Sequence, residues 1–251
     1  MGIRPWRVVA LLSGCLLLAW TNAWAQSVPI RIGAEDDWAP FSSVKNGKPD
    51  GMAVDLVQAI FAEAGLQLEL VPLPYKRCLE ETKLGRIAGC FDTLPDAQLR
   101  KDYRFHAQPL FSDPILILAR SDSAVASLDL KGLETHKVII THGYTYGDAF
   151  EANPWVQRVV ASHDINALRM LDAKRADYAL VYQRITNRLL RGDAQALAGK
   201  IKPVGRLTNA DLYIAFSRKY PNIEGILQRF DAAHARLLKG PVLQQIEKRW
   251  N

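Results

Sequence analysis

The 251-residue chain lacks most features that would place it in a specialised class of protein. Its three cysteines are too few for a disulfide scaffold, and its 49% apolar content is too high for a disordered chain. It carries no serine-hydrolase elbow, phosphate-binding loop or dinucleotide-binding glycine loop, and its five histidines lack zinc-hydrolase spacing. These absences leave a globular chain long enough for one large domain or two small ones.

The first 25 residues have the pattern of a secretory signal. Two arginines precede an apolar run at residues 8–20, and Ala-Trp-Ala at 23–25 forms a small-x-small cleavage site. The run is shorter than the roughly 20 residues of a typical membrane span. We expect cleavage after Ala25 and export from the cytoplasm. An uncleaved anchor and a lipoprotein attached through Cys15 are the alternatives.

The excess of positive charge is small. The chain has 32 Lys and Arg residues against 26 Asp and Glu, a formal net charge of +6 at pH 7. The densest basic cluster, formed by Arg184, Arg188 and Arg191, has helical spacing and predicts a solvated helix face. We expect no nucleic-acid partner and no cofactor, because nothing resembles a nucleic-acid module and no residues stand at metal-ligand spacing.

From residue 28 onward the hydrophobic pattern alternates between strands and helices. Alternating apolar residues at 28–32 and 66–70 predict strands, while residues 52–64 have helical spacing that ends at Gly65. The same rhythm returns after Ser121 without detectable sequence repetition. Such an order is typical of parallel sheets with crossover helices.

This order of elements predicts two lobes. The first comprises residues 26–120 and 212–251, and the second comprises residues 121–211. The two C-terminal helices have no partners of their own, so we expect them to pack on the first lobe. The chain then crosses between lobes near 115–121 and 210–216, and two such crossings form a hinge.

Two cysteines remain after the signal, Cys78 and Cys90. An exported chain meets an oxidising compartment in which such a pair can form a disulfide. Cys78 opens a predicted short helix and Cys90 ends the strand that follows, so the two can lie close together. Two buried free thiols are the alternative.

Several short motifs follow one another along the chain in a characteristic order. These are residues 32–41 (IGAEDDWAPF), residues 51–56 (GMAVDL), the segment 99–110, residues 143–145 (GYT) and residues 174–177 (KRAD). In order and spacing they resemble those of bacterial periplasmic solute-binding proteins of family 3, the amino-acid-type receptors of ABC importers. The similarity covers nearly all of the chain after the signal.

The resemblance implies an α/β fold with two lobes, each a mainly parallel sheet flanked by helices, and a ligand in the cleft between them. It implies that Arg100 grips a ligand carboxylate, since a guanidinium offers two parallel hydrogen bonds. A surface arginine paired with Asp96 or Asp102 is the alternative. Trp38 falls where the family places an aromatic side chain against the ligand, and a core tryptophan is the alternative.

Four further positions correspond to the family's ligand residues. Glu35 falls on an acidic position that can meet a ligand ammonium group, and Thr93 on a hydroxyl-bearing segment. Thr145 lies in a turn that can present backbone N–H groups to an anion. Tyr182 stands where amino-acid receptors usually have an aspartate, and a tyrosine cannot neutralise a cation at pH 7. This departure weakens the case for a free α-amino acid and leaves room for a small carboxylate or another polar metabolite.

The resemblance therefore implies a monomeric periplasmic receptor that captures a small polar or zwitterionic ligand. The closed form would dock on an ABC permease in the inner membrane, without covalent chemistry. One alternative is an enzyme on the same scaffold, similar to cyclohexadienyl dehydratases, with Glu35 as the general acid. Another is a sensory or orphan receptor that feeds no transporter.

Overall fold

A computed structural model of the chain describes Gly2 and residues 28–250. Apart from Gly2, the predicted signal at residues 1–25, its cleavage site and the possible lipid attachment at Cys15 lie outside the described residues. Within the described part of the chain, no helix combines the length and apolar character needed to cross a membrane.

The strands and helices alternate along most of the chain. In chain order they are β1 (Ile30–Glu35), β2 (Asp37–Trp38), β3 (Ser42–Lys45), β4 (Lys48–Asp50), α1 (Met52–Glu63), β5 (Leu68–Leu73), α2 (Tyr75–Lys83), β6 (Gly89–Thr93), α3 (Leu99–Asp102), β7 (Tyr103–Phe105), β8 (Phe111–Arg120), β9 (Lys137–Thr141), α4 (Asp148–Glu151), β10 (Gln157–Ala161), α5 (Asp164–Asp172), β11 (Tyr178–Tyr182), α6 (Gln183–Arg191), β12 (Ile201–Ser217), α7 (Ile223–Leu237) and α8 (Val242–Arg249).

Each lobe is built around a mainly parallel sheet, as expected. In the first lobe β1 pairs in parallel with both β5 and β6. In the second lobe β9 pairs in parallel with both β10 and β11. The crossover helices bury their apolar faces on these sheets, and in α1 the side chains of Met52, Leu56 and Ile60 are fully buried. The prediction of a two-lobed α/β fold is confirmed.

Two long antiparallel strands, β8 and β12, connect the lobes. Residues 201–212 of β12 pair with β8, whereas residues 213–217 pair with β6 and β7. The change of partner falls inside the predicted crossing at 210–216. Because β8 also pairs with β11 from Ile115 onward, strand pairing runs without a break from the second lobe into the first. The residue limits of the lobes stay a prediction, since β12 takes part in both sheets.

The two C-terminal helices pack against α1 of the first lobe, as the sequence predicts. The rings of Phe61 and Phe230 meet with centroids 5.7 Å apart. The indole Nε1 of Trp250 donates a hydrogen bond of 2.6 Å to Asp55 Oδ2. Helices that follow the second lobe in sequence therefore complete the core of the first.

Cys78 in α2 and Cys90 in β6 are joined by a disulfide with their Cα atoms 5.7 Å apart. Both residues are fully buried. The bridge lies directly against Gly33 of β1, where an added Cβ would collide with the Cys78 sulfur. Glycine at this position therefore lets the helix approach the sheet closely enough for the disulfide to form.

Replacing both cysteines with alanine should lower the free energy of unfolding by about 3 kcal/mol, because the bridge closes a short loop in the unfolded chain. The separation of 12 residues sets the size of that loop. Urea unfolding of the oxidised wild type and the double variant measures the difference. Reductant should destabilise the wild type and leave the double variant unchanged. Equal midpoints for oxidised and reduced wild type would contradict the expectation.

Candidate functional site

A narrow cavity lies between the lobes at the ends of β1, β6, β9 and β11. Parallel strands bring their carboxyl ends to the same edge of a sheet, and ligands of open α/β sheets bind there. Two acids, Glu35 and Asp92, line the cavity, together with four aromatic side chains: Trp38, Tyr75, Tyr144 and Tyr182. Both lobes contribute to its walls.

Glu35, the last residue of β1, is almost completely buried, with 6% of its surface exposed. Burial raises the pKa of its carboxyl well above the ordinary value, and the nearby charge of Asp92 raises it further. Tyr144 of the second lobe donates a hydrogen bond of 3.1 Å to Glu35 Oε1, which opposes this shift in pKa. The bond joins the two lobes across the cavity.

Asp92 has an unusual backbone and an unusual environment. Its φ of 66° lies in the left-handed region, which aspartate tolerates better than most residues. Cys90 and Thr93 of β6 pair with Ala215 and Tyr213 of β12, so β6 carries one extra residue in a β-bulge. Bulges of this kind redirect side chains and are frequent beside functional sites.

The Asp92 carboxyl is buried, with 5% of the residue exposed, and burial raises its pKa well above the ordinary value. Neither carboxylate oxygen has a hydrogen-bond partner among the described residues. Native structures seldom leave a buried polar group unpaired, because the loss of hydration costs about 1–3 kcal/mol and more for a charged group. The unpaired carboxyl therefore indicates a place for a ligand group.

The four aromatic side chains meet mainly edge to face. Trp38 contacts Tyr182 at 5.0 Å and Tyr144 at 5.9 Å between ring centroids, and Tyr75 contacts Tyr144 at 6.0 Å. Trp38 and Tyr75 belong to the first lobe, whereas the other two belong to the second. Their rings exclude water from the two carboxyl groups.

A third acid, Asp164, lies beside Trp38 at the start of α5. Burial raises its pKa to about 6, and a hydrogen bond of 2.7 Å from Thr141 Oγ1 opposes the shift. The Trp38 indole N–H lies close enough to lower that pKa further, although it makes no hydrogen bond of normal geometry within the described part of the chain. Asp164 extends the acidic character of the cleft into the second lobe.

Further hydrogen bonds hold the lobes together around the cavity. Thr145 Oγ1 of the second lobe donates to the Leu94 carbonyl of the first at 2.9 Å. The Ala97 backbone N–H of the first lobe donates to Asp148 Oδ1 of the second at 2.7 Å. The structure thus has a closed cleft.

Four of the six predicted ligand residues line this cavity: Glu35, Trp38, Thr145 and Tyr182. The turn containing Thr145 offers fewer free donors than expected. The threonine hydroxyl is bound to Leu94, and the next N–H, that of Tyr146, donates to Glu151 Oε1.

Arg100 and Thr93 are not among the residues that line the cavity. Arg100 is exposed on α3, where its guanidinium carbon lies 5.9 Å from the Phe105 ring centroid. Of the two aspartates considered as surface partners, Asp102 pairs with Lys83 at 2.8 Å. The role of Arg100 in gripping a carboxylate stays a prediction, and its position outside the cavity does not support that role.

Thr93 is fully buried and donates a hydrogen bond of 3.3 Å to the Cys90 carbonyl. The preceding Asp92 faces the cavity instead. Tyr75 and Tyr144 also line it without having been predicted. Tyr144 belongs to the motif at residues 143–145, and Tyr75 is the first residue of α2 after β5. Periodicity could place these residues near the cleft, but the β-bulge that selects Asp92 over Thr93 leaves no clear pattern in the sequence.

The chemistry of the arrangement suits a small organic ligand. Across the described residues, no group of three or more His, Cys, Asp or Glu side chains could hold a metal. The cavity combines two acids with aromatic walls, which is chemistry for recognising a small polar molecule.

The profile of the bacterial extracellular solute-binding proteins, family 3, matches residues 30–251. The chain belongs to this family. The match spans both lobes and all of the cavity residues. Among curated proteins, none shows significant sequence similarity to the chain.

Solved structures with the same fold cover nearly all of this family 3 chain. A histidine kinase sensor domain with similarity to periplasmic binding proteins has a TM-score of 0.75 and 24% identity, covering 88% of this chain and 95% of its own. The arginine-, lysine-, histidine-binding protein ArtJ from Geobacillus stearothermophilus has a TM-score of 0.72 and 17% identity, covering 89% and 95%. The ancestral amino acid-binding protein AncCDT-1, a precursor of cyclohexadienyl dehydratase, has a TM-score of 0.69 and 20% identity, covering 88% and 94%. At these identities the similarity establishes the fold.

Replacing Asp92 with asparagine should stabilise the unliganded protein, increasingly so as the pH rises. The folded-state pKa of Asp92 is raised above its unfolded value, so the stability from its protonated form is full below the unfolded pKa. That stability is lost as the pH rises through the folded pKa, at about 1.4 kcal/mol per unit of pKa difference. The asparagine variant does not titrate, and asparagine tolerates the same left-handed backbone.

Urea unfolding of wild type and Asp92→Asn between pH 5 and pH 8 measures this difference. Asp231→Asn is the matched control, because Asp231 Oδ1 accepts a hydrogen bond from the Ala107 N–H away from the cavity and an amide oxygen can replace it. The advantage of Asp92→Asn over wild type should widen with pH. Parallel stability curves would show that Asp92 is not a buried titrating group.

Proposed function

We propose that this family 3 protein is a periplasmic receptor that captures a small polar solute between its two lobes. After export it acts as a monomer, and its closed form docks on an ABC permease in the inner membrane. The receptor binds and releases its ligand without covalent chemistry. The solute class that fits the family most simply is an amino acid or a related small metabolite.

The observation that carries this proposal is the closed cleft around a buried, unpaired carboxyl. Asp92 lines a cavity whose walls come from both lobes, and neither of its oxygens has a hydrogen-bond partner within the described part of the chain. A group of this kind is stabilised when a ligand supplies the missing partner. Because the ligand would contact both lobes, it would favour the closed arrangement over an open one.

An enzyme on the same scaffold is the second candidate, and the environment of Glu35 favours it. Burial and the neighbouring Asp92 raise the pKa of Glu35, and this shift favours the protonated form that a general acid requires. Incubation with prephenate or arogenate tests this function directly. Turnover that is lost in Glu35→Gln would support the enzyme, while binding without turnover supports the receptor.

Ligand binding should change the fluorescence of Trp38, because this side chain lines the cavity and contacts aromatic rings of the second lobe. The other two tryptophans after the signal are Trp155, which is exposed, and Trp250. A Trp155→Phe/Trp250→Phe variant leaves Trp38 as the reporter. Titration with a ligand found by thermal shift should give a saturable change in emission.

The control variant retains Trp155 and Trp250 but carries Trp38→Phe, and it should show little or no change. A ligand that stabilises the protein while Trp38 emission stays constant would place the binding site outside this cavity.

Uptake of the labelled ligand by cells lacking the protein tests the transport role. Loss of uptake supports delivery to a permease, and unchanged uptake with retained binding supports a sensory receptor.

A further inference from the structure

Among the residues that the structure describes, the cavity contains acidic side chains and no basic ones. Two acids, Glu35 and Asp92, line it, and no lysine, arginine or histidine is among the described residues of its walls. Glu35 accepts a hydrogen bond from a neutral tyrosine hydroxyl, and Asp92 accepts none from the described residues. Neither carboxylate therefore has a cationic partner within the cavity.

Two features of Asp92 destabilise the folded protein. Its side chain is buried with an unpaired carboxyl, and its backbone has a φ of 66° at a β-bulge. A non-glycine residue in this backbone region is strained and persists where the surrounding structure holds it there. Such features concentrate at ligand sites, because the bound molecule supplies the missing interaction.

The aromatic walls favour the same kind of ligand. Aromatic ring faces attract cations, and this attraction strengthens when the cation loses its water. The rings of Trp38, Tyr75, Tyr144 and Tyr182 line the same cavity as the two acids. Acids inside an aromatic enclosure are suited to an ammonium or guanidinium group.

A ligand carboxylate would be unfavourable in this cavity. It would be buried beside two acids with no guanidinium or ammonium side chain to pair with it, and a buried unpaired charge is strongly destabilising. Arg100, the expected carboxylate partner, lies on the exposed face of α3 near Phe105. The cavity therefore differs from a site that binds both ends of a zwitterion.

We infer that the cleft binds a small organic cation through an ammonium or guanidinium group held between the Glu35 and Asp92 carboxylates, and that no carboxylate of the ligand enters the cavity. This inference rests on the proposed function and names its substrate class. Tyr144 hydrogen-bonds Glu35 across the closed cleft, so the lobes open and Tyr144 moves away before the cation enters.

Two further acids, one from each lobe, lie close enough to Glu35 to affect its pKa. Asp36 and Asp164 both act on Glu35, and their charges raise its pKa after the larger effects of burial and of Asp92. Burial raises the pKa of the Tyr75 hydroxyl, and the charges of Glu35 and Asp92 also raise it. A cation entering the cavity therefore interacts with acids on both lobes.

Basic groups stand at the edges of the cleft rather than in its walls. Lys76 Nζ lies 3.2 Å from His142 Nε2 of the other lobe, and His163 Nδ1 lies 3.2 Å from Asp37 Oδ2. These contacts connect the lobes. Comparing wild type with variants of the two cavity acids separates the effect of those acids from the effect of these contacts.

Cation binding should release protons. Burial in the closed, unliganded protein favours the protonated forms of both acids, whereas a bound cation favours their ionised forms. Affinity should therefore fall as the pH is lowered, up to tenfold per pH unit for each proton displaced. Calorimetry at pH 6.5 and 8.5, in buffers of different ionisation enthalpy, counts these protons.

Matched ligand pairs test the inference on the full mature protein. Agmatine and arginine, putrescine and ornithine, and cadaverine and lysine differ in each case by one carboxylate. The carboxylate-free member of the best-binding pair should bind at least tenfold more tightly than its amino acid. Glutamine and glutamate complete the panel as solutes without a side-chain cation.

Two variants test the acids. Asp92→Asn and Glu35→Gln should each weaken the best cation at least tenfold, since hydrogen bonds to charged groups contribute about 1.5–3 kcal/mol. Each should also reduce the number of protons released. Asp231→Asn and Glu224→Gln are the matched controls, because both acids lie on α7 away from the cavity, and they should bind like wild type.

The outcomes separate the inference from the proposed function. Tighter binding of the amino acid in the best pair, or unchanged affinity in both acid variants, would overturn the inference and leave the receptor function intact. Binding of glutamine or glutamate in place of every cation would do the same. If no solute in the panel binds, the inference fails and the receptor function fails with it for these solutes.

Discussion

The burial of Asp92 and Glu35 without a positive counter-charge is the constraint on which the cleft depends. The two carboxyls lie at the ends of neighbouring strands, where the parallel sheet of the first lobe brings side chains together. Each is buried, and the charge of Asp92 raises the pKa of Glu35. Buried away from water, the two carboxyls are stable when they are protonated or when a cationic group of a ligand pairs with them.

Closure of the lobes has a direct electrostatic consequence. The tyrosine hydroxyl that reaches Glu35 comes from the second lobe, as do two of the aromatic rings that exclude water. Opening the cleft would rehydrate the acids and restore their ordinary titration. An opening motion about β8 and β12 would therefore be coupled to the protonation of the site, and a ligand that pairs with the acids would favour the closed form.

Most of the fold could be predicted because its helices and strands follow periodic patterns of apolar residues. The apolar stripe of α1 and its stop at Gly65 set that helix, and alternating residues set β1 and β5. The two long strands that join the lobes were harder to recognise: β12 runs from Ile201 to Ser217, whereas apolar alternation indicates only the last few of those residues. Its earlier part is a strand because it pairs with β8, a contact between distant segments.

The local order of strands and helices thus specified which loops gather at the cleft, and the resemblance to family 3 pointed to Glu35, Trp38, Thr145 and Tyr182 as residues near it. The choice between neighbouring side chains came from contacts across the molecule. A bulge against β12 turns Asp92 toward the cavity, while Arg100 lies on a short exposed helix outside it. Strand register and helix placement depend on partners far away in the chain, so spacing along one segment cannot show where a particular side chain points.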